Sequence, residues 1–251
     1  MGQLQGKIAI ITGAGSGFGE GMAQAYVHEG AKVIIADLNA DAGERVAKAL
    51  GANAKAIATD VANADSVNAM VNACVDAFGV PDIVINNAGT THKNQPMLQV
   101  DEKTFDRMFA VNVKSIYYMA HAVIPLMRAR GKGGVIINVG STAGIRPRPG
   151  LSWYNGSKGA VNLLSKAMAV ELAPDKIRVN ALCPVMGATG LLGDFMGVPD
   201  TPENRAKFVS TIPLGRFCEP RDMAAAAVFL GTDAAEFLTG LEFPVDGGRT
   251  I

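Results

Sequence analysis

Residues 12–19 read Thr12-Gly13-Ala14-Gly15-Ser16-Gly17-Phe18-Gly19. An apolar run at 8–11 leads into this stretch, and a helical pattern at 20–29 leads out of it. Strand, glycine turn and helix N-terminus in that order make an anion site, because the turn's amides and the positive end of the helix dipole face one point. Glycine is needed where backbone must approach a pyrophosphate, since any Cβ would intrude. About 20 residues after the loop, Asp37 closes a second apolar run. A carboxylate at that place accepts hydrogen bonds from the ribose hydroxyls of an adenosine.

Outward from the loop, short apolar and β-branched runs recur at 7–12, 32–37, 54–59, 82–86, 134–139, 178–183 and 241–245, with longer helical patterns between them. Apolar runs joined by helical crossovers predict a parallel sheet covered on both faces. The expected fold is therefore α/β, a Rossmann-type doubly wound sheet of about seven strands in a single domain over 1–251. The one long irregular stretch, 187–213, mixes glycines, prolines and apolar residues, and is expected to form a substrate lid.

Composition narrows the function. Basic and acidic residues number 23 each, which argues against a nucleic-acid or membrane-surface partner. Cys74, Cys183 and Cys218 are sparse and form no CxxC pair, as expected of free thiols in a reducing cytoplasm. The first residues carry no apolar signal region, and no apolar run approaches the ~20 residues that span a bilayer. His28, His92 and His121 are scattered, so no catalytic metal is expected, and His92 reads as a surface residue.

Tyr154 and Lys158 stand four apart in a helical pattern and so share a face. A nearby ammonium is expected to lower the tyrosine's pKa, fitting it for acid/base work. Ser141 follows the run at 134–139, at a carboxyl end where such sheets place ligands, and its hydroxyl suits a substrate oxygen. Asn112 falls on the apolar stripe of 105–127, where an amide must find partners.

Thr12-Gly13-x-x-x-Gly17-x-Gly19, Asn86-Asn87-Ala88-Gly89, Ser141, Tyr154-x-x-x-Lys158 and Val245-Asp246-Gly247-Gly248 together resemble the motif set of the short-chain dehydrogenase/reductase family. The likeness runs over nearly the whole chain, and is greatest to 3-oxoacyl-carrier-protein reductases and sugar or secondary-alcohol dehydrogenases. It implies hydride transfer between a nicotinamide dinucleotide and an alcohol or ketone. Asn112, Ser141, Tyr154 and Lys158 would be the catalytic set, with Asn112 holding a water that leads to Lys158. The implied cofactor contacts are Gly13, Ser16, Gly17, Phe18 and Gly19 in the loop, Asp37 at the ribose, and Asp60 with Val61 at the adenine. They continue with Asn87, Ala88 and Gly89 beside Asn86, then Tyr154, Lys158, Pro184 and Thr189 at the nicotinamide end. The chain departs from the family where Pro184-Val185 replaces Pro-Gly.

Asp37, with Ser16, Leu38 and Asn39 where an NADP enzyme keeps a base, selects NAD, and no neighbouring Arg or Lys is evident in the sequence. Helical stretches 104–128 and 157–172 are apolar on more than one face, which with the family resemblance predicts a homotetramer. Arg146 and Arg148 lie between Ser141 and Tyr154, either to meet an anion or simply to be solvated. The substrate stays open between a carrier-bound 3-oxoacyl chain and a sugar or cyclic alcohol. A non-catalytic NAD-sensing regulator is the reading from another class, disfavoured by the intact Tyr154 and Lys158.

Overall fold

The computed structural model describes residues 2–187, 190 and 192–251. Seven strands form one sheet: β1 (Ile8–Thr12), β2 (Lys32–Asp37), β3 (Ala54–Ala58), β4 (Ile83–Asn86), β5 (Gly134–Val139), β6 (Ile177–Pro184) and β7 (Glu242–Val245). Their order is β3-β2-β1-β4-β5-β6-β7, and every pairing is parallel. The helices are α1 (Gly17–His28), α2 (Ala40–Leu50), α3 (Ala64–Ala77), α4 (Glu102–Phe109), α5 (Ser115–Arg130), α6 (Ser152–Leu172), α7 (Leu192–Met196), α8 (Pro202–Val209) and α9 (Pro220–Gly231).

Alternation along the central strands explains their continuous apolar reading. Ile11, Ile35, Ile85 and Ile137 point to one side, where Met22 and Tyr26 of α1 and Met223 of α9 cover them. Ile10, Ile34, Val84 and Ile136 point to the other, under Met70 of α3, Val123 and Met127 of α5 and Leu172 of α6. A strand buried on both faces carries apolar side chains at both parities. Tyr26 is fully buried, and its hydroxyl donates to the Ala227 carbonyl at 2.8 Å, fixing α1 against α9.

The stripe at 105–127 reads as one helix but folds as two. A π-turn at Ala110–Lys114 separates α4 from α5 and carries Asn112. The wider turn displaces the amide from the regular helical spacing. Strand order reverses between β1 and β4, so the carboxyl ends of these two strands open a crevice where an α/β sheet takes its ligand.

Candidate active site

The glycine loop runs from β1 into α1 at that crevice. Gly17 holds φ +57°, a conformation that costs other residues strain. A Cβ on Gly19 would lie 2.1 Å from the Gly13 carbonyl oxygen, so α1 packs against the loop only without a side chain there. Ser16 occupies the N-cap position in an extended conformation and makes no side-chain cap bond. The first amides of α1 are thus left for a ligand. Asn87 binds the loop to the strand beside it, donating from Nδ2 to the carbonyls of Thr12 at 2.8 Å and Gly13 at 3.1 Å. The Thr12 hydroxyl accepts from the amides of Asn87 and Ala88, both at 3.0 Å. A dinucleotide's pyrophosphate fits this side-chain-free cradle.

Asp37 accepts from the Gly15 amide at 2.8 Å and the Asn39 amide at 2.9 Å. Its two oxygens offer about four acceptor sites, which leaves capacity for ribose hydroxyls. A base does approach this end, contrary to the sequence reading. Arg45 of α2 donates to the Gly15 carbonyl at 2.9 Å, but it is held by both oxygens of Glu20 at 2.8 Å. It lies eight residues beyond the strand end, and only the fold brings it back to the loop. Asp60 borders the crevice beside Val61 and pairs with Arg107 at 3.4 Å.

A set of buried amides, of which the sequence marked Asn112 but not Asn138 or Asn162, orders the Tyr154 end of the crevice. Asn86 donates to Asn138 Oδ1 at 2.8 Å, and Asn138 donates to the Ser165 hydroxyl at 2.9 Å, locking β4, β5 and α6 together. Asn112 accepts from the Thr90 amide at 2.8 Å and donates to the Thr90 carbonyl at 2.9 Å and to Ser157 Oγ at 3.0 Å. Its side chain therefore clamps the loop after Gly89 to α6. Asn162 donates to the Ser141 carbonyl at 3.3 Å and to Glu242 at 2.6 Å, fixing the turn that presents Ser141. The Ser141 hydroxyl accepts from the Ala143 amide at 3.0 Å.

Tyr154 and Lys158 lie one turn apart on α6, with the ammonium 6.0 Å from the ring centre. Lys158 Nζ donates to the Val139 carbonyl at 2.8 Å. Burial pushes the Tyr154 phenol up to about 12, with the Ser141 hydroxyl and Arg148 charge offsetting part of the rise. Burial also pushes Lys158 down to about 8. The tyrosine thus moves opposite to the sequence expectation, because loss of hydration outweighs the nearby charges. The Tyr154 ring packs edge-on against Phe195 of α7, with centroids 5.0 Å apart.

The glycine loop, Asp37, Asp60, Ser141, Tyr154 and Lys158 meet in one cavity of about 810 Å³. Every expected site residue among those described borders it, except Gly19 and Asn112, which stand behind its wall. Thr189 lies outside the described residues, as do Met1, Ala188 and Leu191. Val185, which replaces the family glycine, is buried, and its amide donates to Val245 at 3.2 Å. The close approach is made two residues later, where a Cβ on Gly187 would lie 2.3 Å from the Phe18 ring. His92 is buried rather than at the surface, and its Nδ1 lies 2.9 Å from the Lys93 carbonyl oxygen. All three cysteines are free and buried.

Residues 13–250 match a protein-family model described as "Enoyl-(Acyl carrier protein) reductase". The chain is 47% identical over 256 residues to the 4-formylbenzenesulfonate dehydrogenase of Comamonas testosteroni, covering 99% of each. The chain belongs to the short-chain dehydrogenase/reductase family. Another relative, the sorbitol dehydrogenase of Cereibacter sphaeroides, is 35% identical over 254 residues, covering 98% of each. Among solved structures, a 3-ketoacyl-(acyl-carrier-protein) reductase of Brucella melitensis complexed with NADH superposes with a TM-score of 0.93. It shares 48% identity, covering 99% of this chain and 100% of that one.

Proposed function

We propose that this chain transfers a hydride between NAD(H) and a secondary alcohol or ketone, with Tyr154 moving the hydroxyl proton. Two relatives are named dehydrogenases, and the reductase that superposes on this chain was solved in complex with NADH. The assignment of residues rests on one observation: Tyr154, Ser141 and Lys158 enter the same cavity as the glycine loop and Asp37. The cofactor, when bound, supplies or takes the hydride. Ser141 positions the substrate oxygen, and Tyr154 gives a proton to it in reduction and removes one in oxidation. Lys158 holds the nicotinamide ribose and favours the phenolate through its charge. Asn112 positions the loop and helix around them. Both of its N–H groups are bonded, but its oxygen accepts only from the Thr90 amide, which leaves one acceptor site for a relay water that leads to Lys158.

The lysine sets a pH limit. Its ammonium is fully present only well below about 8 and is lost as pH rises through that value, while the phenol stays protonated until about 12. The expected profile of kcat/KM for ketone reduction is flat at acidic and neutral pH and falls about tenfold per unit above 8. A profile still flat at pH 10 would remove Lys158 from this role.

We place the enzyme in the cytoplasm, as one catalytic domain with 187–213 as its lid. Assembly as a homotetramer would cover Tyr117 of α5 and Leu163 and Val170 of α6, all more than half exposed. Light scattering showing a stable 26.1 kDa monomer would contradict the assembly. The relatives' names span an aromatic aldehyde sulfonate and a hexitol, so the substrate's body must be read from the cavity itself.

A further inference from the structure

Resting on the hydride-transfer reading, we propose that the substrate carries a carboxylate or sulfonate on an apolar body, and that Arg146, Arg148 and Arg249 hold this anion while Tyr154 and Ser141 hold the reacting oxygen. All three arginines border the cavity that Tyr154 and Ser141 enter. Arg146 and Arg148 come from the loop before α6, and Arg249 from the turn after β7. Arg146 donates to the Arg249 carbonyl at 2.9 Å, which ties the two segments together.

Their lack of partners sets them apart. Seven other arginines each have a carboxylate within salt-bridge distance. Arg178 is committed to the carbonyls of Leu230, Thr232 and Leu238. Among the described residues, Arg146, Arg148 and Arg249 have no ion-pair partner. The carboxylate nearest in charge to Arg249 is Asp246, and it is engaged by the amides of Gly248 and Thr250 and the Thr250 hydroxyl, at 2.7–2.9 Å.

The cluster is also electrostatically costly as it stands. Burial and then the charge of Arg249 hold Arg148 below its ordinary pKa, and burial and then Arg146 do the same to Arg249. Like charges gathered in a partly dehydrated place are relieved by an anion among them. Arg148 is also preorganised. Its guanidinium lies over the Phe208 ring, 4.8 Å from the centroid, and its carbonyl accepts from Asn155 at 2.8 Å.

Apolar side chains stand beside both ends of the proposed site: Leu151 and Phe195 pack with Tyr154, and Phe208 lies under Arg148. With Phe217 they border the cavity, which suits a ring or short hydrocarbon. Arg148 and Tyr154 border the same cavity, so a compact substrate can meet both. A planar guanidinium fork matches carboxylate and sulfonate oxygens in pairs.

The test is binding to the wild-type protein saturated with NAD, where a ketone cannot turn over. Calorimetry would compare 4-acetylbenzoate, 4-acetylbenzenesulfonate and the neutral methyl 4-acetylbenzoate. Both anions should bind at least about tenfold tighter than the ester, a difference of ~1.4 kcal/mol. Arg148→Met and Arg249→Met should each remove most of that advantage, weakening the anions by more than the ester. Equal binding of ester and anions, or no binding of either anion at millimolar concentration, would overturn the proposal whether or not the variants fold. Oxidation of the matching alcohols separates the two readings. Equal efficiency on ester and acid sinks the anion site but leaves hydride transfer standing. Selective binding of the anions with no reduction of NAD does the reverse.

Discussion

Tyr154→Phe should lower kcat by about 10³-fold or more, ~4 kcal/mol of barrier, while the affinity for NADH stays within about threefold. The ring is buried against Phe195, Leu151, Ala143 and Met108, and phenylalanine keeps that packing. Only the hydroxyl, the proposed proton carrier, is lost. Steady-state turnover and NADH fluorescence titration on the same preparation check both halves. Near-normal turnover would remove Tyr154 from the chemistry, and loss of NADH binding would show a structural fault instead. Lys158 is a poorer probe, since its ammonium also braces the Val139 carbonyl.

The second large effect concerns the cofactor. Wild type should favour NAD over NADP by at least about tenfold in kcat/KM, and Asp37→Ser with Leu38→Arg should reverse the preference, a swing of about a hundredfold. Asp37 lines the cavity at the end of β2, where a second anion would meet its carboxylate in a partly desolvated cleft. Leu38 beside it is 64% exposed at the cavity rim, so an arginine fits there without repacking. The nearby Arg45 does not offset Asp37, because Glu20 already holds it. The double variant should also lose roughly 1–3 kcal/mol of stability, because Asp37 accepts from the Gly15 and Asn39 amides. Thermal unfolding measures this cost separately from the kinetics. Equal use of both cofactors by wild type would show that Asp37 does not set the choice.

Much of this architecture was legible because its signals are local. The parallel strands are apolar at most positions, so all seven match runs in the sequence to within a residue or so at each end. The glycine loop and the Tyr154–Lys158 spacing are likewise written within a few residues of one another. What escaped depends on distance in space. Nothing near Asn138 or Asn162 in the sequence distinguishes a buried amide from an exposed one. Their partners Ser165 and Glu242 lie 27 and 80 residues away. Arg45 reaches Gly15 across 30 residues. The direction of the Tyr154 shift failed for a related reason, since helical spacing reports the neighbouring charge but not the depth of burial. The break at Asn112 had a trace in the sequence: a lone amide on an apolar stripe, with Thr90 and Ser157 as its remote partners.

The central claim, direct hydride transfer between a carbinol carbon and the nicotinamide, is tested most directly with label. The wild-type protein is incubated with NAD and a panel of secondary alcohols carrying deuterium on the carbinol carbon. The panel includes sugar alcohols, cyclic alcohols and 4-(1-hydroxyethyl)benzoate. Mass spectrometry of the reduced cofactor should show one deuterium per molecule formed, with none arising from solvent deuterium. Reduced cofactor that carries no label from the alcohol, or a protein that binds NADH yet reduces no NAD with any member of the panel, would contradict the account.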